Sequence, residues 1–173
     1  MRRTVILNGL PATGKSTVAK RFQSVRYAQH GELWLHIELD TFELMFPQEV
    51  GKLQPAEYEV GLEAMRNALR GLVAVDADVM FELVARDDTS VRQIVDSIVE
   101  ICAVDRQDPV WITLLADHET RRSRNEGRAR QVDVAPTERL DAAATANSTL
   151  VLHTDELSEE QVVRAIERTL SPG

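Results

Sequence analysis

The chain has 173 residues, 43% of them apolar and 28% charged, the size and balance of one ordinary domain with a sizeable core. A net charge of −8 and a pI near 5.0 argue against a nucleic-acid polymer as partner, because phosphate neutralisation needs basic residues in excess on one face. No apolar run approaches the roughly 18 residues that span a membrane, and a single cysteine, Cys102, excludes an internal disulfide and a cysteine-cluster metal site.

Met1-Arg2-Arg3 is basic, but Val5-Ile6-Leu7 stops at Asn8-Gly9, too short for a signal-peptide core. The start is therefore expected to be structural, and a reducing cytoplasm fits. Thr4–Asn8 reads as a strand ending in glycine, and Lys15–Arg26 as a helix. Trp34–Leu39 alternates like a strand and stops at Asp40. Pro55 suits a first helical position, and Val60, Leu62, Met65, Leu69 and Leu72 follow helical spacing as far as Val73. Val79–Val84 predicts a third strand and Ser90–Val104 a helix, whose row Ile98, Ile101, Cys102 puts the cysteine in the core. Val110–Leu115 is nearly continuous in apolar residues, the mark of a strand covered on both faces. A charged helix follows from Asp117, then an Arg/Gly segment around Gly127 and a short helix after Pro136. Thr149–His153 is the last strand, and Ser158 caps a closing helix. Five strands separated by helices predict an α/β fold, a parallel sheet with helices on both faces, as a single domain over residues 1–173.

Gly9-Leu10-Pro11-Ala12-Thr13-Gly14-Lys15-Ser16 fits G-x-x-x-x-G-K-[ST], the phosphate-binding loop of P-loop NTPases, between a strand and a helix as that motif requires. Glycines let the backbone turn its N–H groups inward at phosphate oxygens. Lys15 supplies a charge for the β- and γ-phosphates, Ser16 a hydroxyl for Mg²⁺, and the helix from Lys15 its positive end. Phosphate contacts are expected from Gly9, Pro11, Ala12, Thr13, Gly14, Lys15, Ser16 and Thr17, with ATP or GTP as donor. The motif leaves open what becomes of the γ-phosphate, since P-loop proteins include transferases, motors and switches.

Ligands of open parallel sheets sit beyond the carboxyl ends of the strands, where the sequence offers carboxylates. Asp40, after the second strand, suits a general base on an acceptor hydroxyl, or else caps the helix starting at Thr41. Glu82 lies amid Val79, Met80, Phe81, Leu83 and Val84, where a carboxylate is costly unless paired or near a cation. It reads either as a partner of the Mg²⁺ site with Ser16 or as an outward residue on an edge strand. Arg86 and Asp87 follow as candidates to line an acceptor pocket.

Arg121, Arg122, Arg124, Arg128 and Arg130 form the basic cluster of the chain. Arg124 and Arg128, four apart, would share a face if the helix reached both. Arginines over a transferring phosphate stabilise its charge, and Gly127 would allow a movable lid over about residues 121–135 that shuts out water. The other reading is a solvated helix face, on which Arg122 belongs.

The pattern resembles the chloramphenicol phosphotransferase-like family of small P-loop kinases, related more distantly to gluconate, shikimate and adenylylsulfate kinases. Ile6-Leu7-Asn8-Gly9 leading into the loop, Asp40-Thr41-Phe42 with Pro47, the Arg124-x-x-x-Arg128 spacing and Asp155 carry the resemblance. It implies a nucleoside-monophosphate-kinase-like core with strand order 2-3-1-4-5, an ATP-type donor with Mg²⁺, and transfer of the γ-phosphate to a hydroxyl of a small molecule. By position it makes Asp40 the general base and Arg124 and Arg128 lid arginines. Two departures stand out: Glu82-Leu83 replaces the paired acids expected on the third strand, and the segments between Phe42 and Gly61 and after Val84 do not match. The expected acceptor is thus an antibiotic, as in a resistance kinase, or a sugar, nucleoside or other metabolite. Further alternatives are a toxin-type kinase acting on nucleotide-sugars and a nucleotide-switched protein or ATPase that transfers nothing.

Overall fold

The computed structural model describes residues 2–43, 54–84, 89–105, 108–127, 132, 134–135 and 145–171. Its strands are β1 (Thr4–Asn8), β2 (Trp34–Glu38), β3 (Asp78–Leu83), β4 (Val110–Leu115) and β5 (Leu150–His153). They pair in parallel in the order β2-β3-β1-β4-β5, as the resemblance implied. The chain moves to one side of β1 for β2 and β3 and to the other for β4 and β5. The order therefore reverses at β1, which opens a crevice beyond its carboxyl end.

The helices are α1 (Lys15–His30), α2 (Asp40–Glu43), α3 (Pro55–Ala74), α4 (Thr89–Asp105), α5 (His118–Glu126) and α6 (Glu159–Leu170). Strand alternation divides the core into two layers. Val5 and Leu7 of β1, Met80 of β3 and Ile112 and Leu114 of β4 pack with Phe22 of α1 and Ile166 of α6. Ile6, Val79 and Phe81 turn to the other face, where Leu62, Met65 and Leu69 of α3 and Ile98 and Cys102 of α4 meet them. Cys102 is thus a buried core residue, as its spacing predicts.

Local chemistry sets the ends of these elements. Pro55 stands at the start of α3, where Gln54 and Glu57 satisfy each other's backbone N–H groups, and Ser158 and Gln161 do the same at α6. The helix predicted to end at Arg26 runs four residues further, because nothing breaks it before Gly31. That glycine takes a left-handed conformation (φ 66°) and returns its N–H to the Tyr27 carbonyl. Val60, expected on the apolar row of α3, is 68% exposed; Leu62, Met65, Leu69 and Val73 form the buried stripe. β3 is not an edge strand, since β2 pairs outside it, and the edge-strand reading of Glu82 falls with that. The short helix predicted after Pro136 lies outside the described residues.

Opposite the crevice, a polar knot ties together the amino ends of three strands. Arg3 donates to Asp78 and to Glu32 (2.6 Å), and Arg26 donates to the same Glu32 oxygen at 2.6 Å and 2.9 Å. The Arg3 guanidinium also lies 4.9 Å from the Trp34 ring centroid. Burial opposes the charge on Glu32, but hydrogen bonds from Arg26, Arg3 and Trp34 and the charge of Arg3 outweigh it and hold the carboxyl at about 2. Among the described residues no helix is long and apolar enough to cross a membrane.

Candidate functional site

The loop between β1 and α1 curls tightly at the crevice. Ala12 (φ 64°) and Gly14 (φ 93°) both take left-handed conformations. At Gly9 the constraint is space: a Cβ there would stand 2.6 Å from the Leu114 carbonyl oxygen and 2.8 Å from Thr13 Oγ1. Thr13 Oγ1 donates to the Leu10 carbonyl at 2.9 Å, pinning the loop from within. Gly14 precedes α1 without a side-chain cap, so no side chain competes for the N–H groups of the first turn. Such an N-terminus favours an anion.

Lys15 is buried, and its Nζ donates to the carbonyls of Gly9 (2.8 Å) and Leu10 (3.2 Å). Its charge is held across the mouth of the loop by the loop's own backbone. Next to it, Ser16 Oγ donates to Glu82 Oε1 at 2.8 Å, while Lys15 Nζ lies 3.9 Å from the same oxygen. The other oxygen of Glu82 is 2.9 Å from His36 Nε2. Burial pushes the Glu82 carboxyl up; the His36 hydrogen bond, the Lys15 charge and the Ser16 hydroxyl more than offset it, so the group is held below the usual carboxylate range. Glu82 is therefore anionic beside the phosphate loop. These oxygen donors suit Mg²⁺, a hard cation that prefers carboxylate, hydroxyl and water ligands.

His36 was not singled out from the sequence. The signal was present in strand alternation: His36 and Glu38 lie two apart on β2, so both point to one face, and Glu38 stands opposite Glu82 in the β2–β3 register. The strand order implied by the resemblance puts β2 beside β3, but not the register that sets Glu38 opposite Glu82.

Asp40 follows β2 after Leu39, whose N–H donates to the Glu82 carbonyl at 3.0 Å. Asp40 is exposed and is the first residue of α2. The strand end thus carries Asp40 beyond the sheet on the side where Glu82 meets the loop. Arg86 and Asp87 lie outside the described residues.

Asp117 caps α5, its side chain accepting from Thr120 N at 2.7 Å. From the last turn of α5, Arg124 reaches back to the phosphate loop. It donates to Thr154 Oγ1 at 2.8 Å, to the Thr154 carbonyl at 2.6 Å and to the Thr13 carbonyl at 3.4 Å. Thr154 Oγ1, for its part, donates to the Thr13 carbonyl at 2.8 Å. Thr154 is a second residue that sequence reading missed: it closes β5 against the loop from 141 residues away. Arg122 is exposed, as expected, 4.0 Å from Glu126, and Arg121 is buried.

α5 ends at Glu126 on Gly127, short of Arg128, so the helix that would set Arg124 and Arg128 on one face is described only as far as Arg124 and Glu126. Arg128 and Arg130 lie outside the described residues. Beyond them the Asn125 amide donates to the Val132 carbonyl at 2.8 Å and accepts from Val132 N at 3.0 Å. His118 Nε2 is 3.1 Å from the Val134 carbonyl. The returning segment is thus clasped to α5 at two points.

A family model described as chloramphenicol phosphotransferase-like protein matches residues 2–167. No curated protein sequence matches the chain. Among solved structures, a sugar kinase from Janibacter sp. HTCC2649 superposes with a TM-score of 0.63 at 16% identity, over 98% of this chain and 95% of that one. A shikimate kinase from Bacteroides thetaiotaomicron gives 0.60 at 18% identity, over 97% and 98%. The Mycobacterium tuberculosis APS kinase in complex with AMPPNP and APS gives 0.63 at 15% identity, over 98% and 97%. At these identities the structures establish a shared fold, that of P-loop kinases.

Proposed function

The chain belongs to the chloramphenicol phosphotransferase-like family, and on that footing we propose that it transfers the γ-phosphate of a Mg²⁺-bound nucleoside triphosphate to a hydroxyl of a small molecule. The observation that carries the reading is the meeting of Lys15, Ser16 and Glu82 at one end of the sheet. A cationic amine, a hydroxyl and an anionic carboxylate stand together where the loop would hold phosphates.

Gly9 to Thr17 bind the triphosphate of ATP or GTP. Lys15 exchanges its carbonyl partners for phosphate oxygens, at little cost because the ammonium trades acceptors of similar geometry. Ser16 and Glu82 would hold Mg²⁺, which would offset the charge of the phosphates. Asp40 accepts the proton of the acceptor hydroxyl. Arg124 fixes the loop through Thr13 and Thr154 and approaches the donor; Arg128 completes the arginine pair over the transferred group. The segment over about residues 121–135 is the lid of this single domain, and the Asn125–Val132 clasp gives it a fixed base. A soluble protein of the cytoplasm fits this chemistry.

The acceptor is an alcohol-bearing antibiotic, or a sugar or other metabolite as in the kinases of similar fold. A thermal-shift screen with Mg-nucleotide and hydroxyl-bearing antibiotics, sugars and nucleosides separates them, since a ligand at 100 times its Kd adds roughly 2.7 kcal/mol. Product formation is then followed with the stabilising compound. Lys15→Ala should abolish transfer and leave the folded protein intact. Near-normal turnover in that variant would refute the phosphate-loop assignment, and nucleotide hydrolysis that no acceptor accelerates would leave an ATPase.

A further inference from the structure

We infer that His36, Glu38 and Glu82 form a binding site for a divalent transition-metal ion, beside but separate from the position that Ser16 would share with Mg²⁺. The inference does not depend on the transferase reading, because it concerns the protein without nucleotide.

The site arises from strand register. Glu38 and Glu82 are partners across β2 and β3, and His36 stands two residues before Glu38 on the same face. One ligand atom from each of the three lies within 4.8 Å of the others. An ion with bonds of about 2.0–2.2 Å to nitrogen and carboxylate oxygen could bridge such a group after small side-chain adjustments.

Burial shapes the site. The side chains of His36 and Glu82 are only 6% and 12% exposed, whereas that of Glu38 is 43% exposed. Two ligands are set in the protein wall, and the third guards an open side through which an ion can enter and keep water ligands. The partners these groups have now are ones an ion can replace: the contact of Glu38 with Lys20 is long and exposed, 3.9 Å.

The donor set selects the ion. Imidazole suits Zn²⁺, Co²⁺ and Ni²⁺, whereas Mg²⁺ takes oxygen ligands. The two oxygens of Glu82 face different neighbours, Oε1 toward Ser16 and Oε2 toward His36. An ion bound at Oε2 replaces the His36 hydrogen bond and leaves Oε1 beside the hydroxyl. It would stand one carboxylate away from the phosphate loop, close enough to alter the charge that Ser16 and Lys15 experience.

The test is a Co²⁺ titration of chelator-stripped, nucleotide-free protein, followed by calorimetry and by the visible ligand-field absorption. The expected result is one tight Co²⁺ per chain that excess Mg²⁺ does not displace. Ser16→Ala should retain it. His36→Gln and Glu38→Gln should each weaken it at least tenfold while thermal melting shows both variants folded. Should His36→Gln fail to fold, Glu38→Gln at its exposed position decides the matter alone. Absence of tight binding, equal binding in Glu38→Gln, or loss of Co²⁺ on adding Mg²⁺ or in Ser16→Ala would each overturn the site.

Discussion

The hydroxyl of Ser16 donates to Glu82 Oε1 at 2.8 Å, across sixty-six residues of sequence. This contact joins the first turn of α1 to the end of β3. It also explains why an apolar strand carries a carboxylate that burial alone would disfavour: His36, Lys15 and Ser16 together keep it charged.

Glu82→Gln keeps the shape and the hydrogen-bond acceptor for Ser16 but removes the charge. The Mg²⁺ concentration needed for half-maximal activity should rise about 10–100-fold, the usual effect of removing a group that supports a metal ligand. Nucleotide affinity measured without Mg²⁺ should change little. An unaltered Mg²⁺ activation curve would remove Glu82 from the metal site.

Gly9→Ala places a methyl group 2.6 Å from the Leu114 carbonyl oxygen, a backbone atom of a central strand that cannot yield easily. Overpacking of this kind costs about 1–3 kcal/mol, read as a lower urea midpoint, and nucleotide binding should fall with it. Gly31→Ala meets open space at φ 66°, so it should cost only the left-handed conformation, about 1–2 kcal/mol, with nucleotide binding intact. Equal nucleotide affinity in both variants would show that the close approach at Gly9 has no bearing on the loop.

Much of this was legible in the sequence because local rules set it. Thr4–Asn8 and Val110–Leu115 are strands over the predicted residues, Ser158 caps the last helix, and the glycine-lysine-serine spacing marks the phosphate loop. What stayed hidden depends on the register and side-chain contacts between distant segments, which strand order alone does not give. Nothing near His36 indicates that it touches Glu82, and nothing near Thr154 indicates that it holds Thr13. Both contacts exist only once β2 lies beside β3 and β5 beside β4. The end of α5 at Glu126 was open to misreading for a different reason: the spacing of Arg124 and Arg128 is helical, but Gly127 between them ends the helix.

Arg124 and Arg122 lie two apart on α5 and should behave oppositely. Arg124 holds Thr154 and the Thr13 carbonyl, so Arg124→Ala should weaken nucleotide binding about tenfold, near 1.4 kcal/mol, the loss of one charged hydrogen bond. Arg122 is exposed, with a long contact to Glu126, and Arg122→Ala should stay within about twofold. Calorimetric titration with a non-hydrolysable nucleotide checks both; similar affinities for the two variants would detach Arg124 from the donor site.

Stability should fall in acid through Glu32. Its folded-state carboxyl lies at about 2, below the ordinary 4.5. The stabilisation is therefore complete above the unfolded value and is lost as pH drops from about 4.5 toward 2. Partial exposure reduces its worth to about 1 kcal/mol. Glu32→Gln should lower the urea midpoint at neutral pH and approach the parent protein only as pH falls toward about 2. A gap between the two that stays constant with pH would deny the Arg26–Glu32–Arg3 knot this role.

Asp40 gives the sharpest test of the transfer chemistry. It follows the end of β2, and the Leu39–Glu82 hydrogen bond fixes the strand end that carries it. The carboxylate is exposed, so it meets an incoming acceptor without a desolvation penalty. Asparagine keeps the size and hydrogen-bonding reach of Asp40 but cannot accept a proton or carry charge. Asp40→Asn should therefore lower kcat by about 10²–10⁴, the usual worth of general-base catalysis. Nucleotide affinity should hold, because the phosphate loop, Ser16 and Glu82 are untouched. Stability should hold too, since Asp40 is exposed and substitutions at such surface positions usually cost no more than about 0.5 kcal/mol. Single-turnover rates with Mg-nucleotide and the acceptor, taken beside a nucleotide titration, separate the outcomes. A folded, nucleotide-binding, inactive variant makes Asp40 the base, and a variant that turns over normally assigns it to the start of α2 alone.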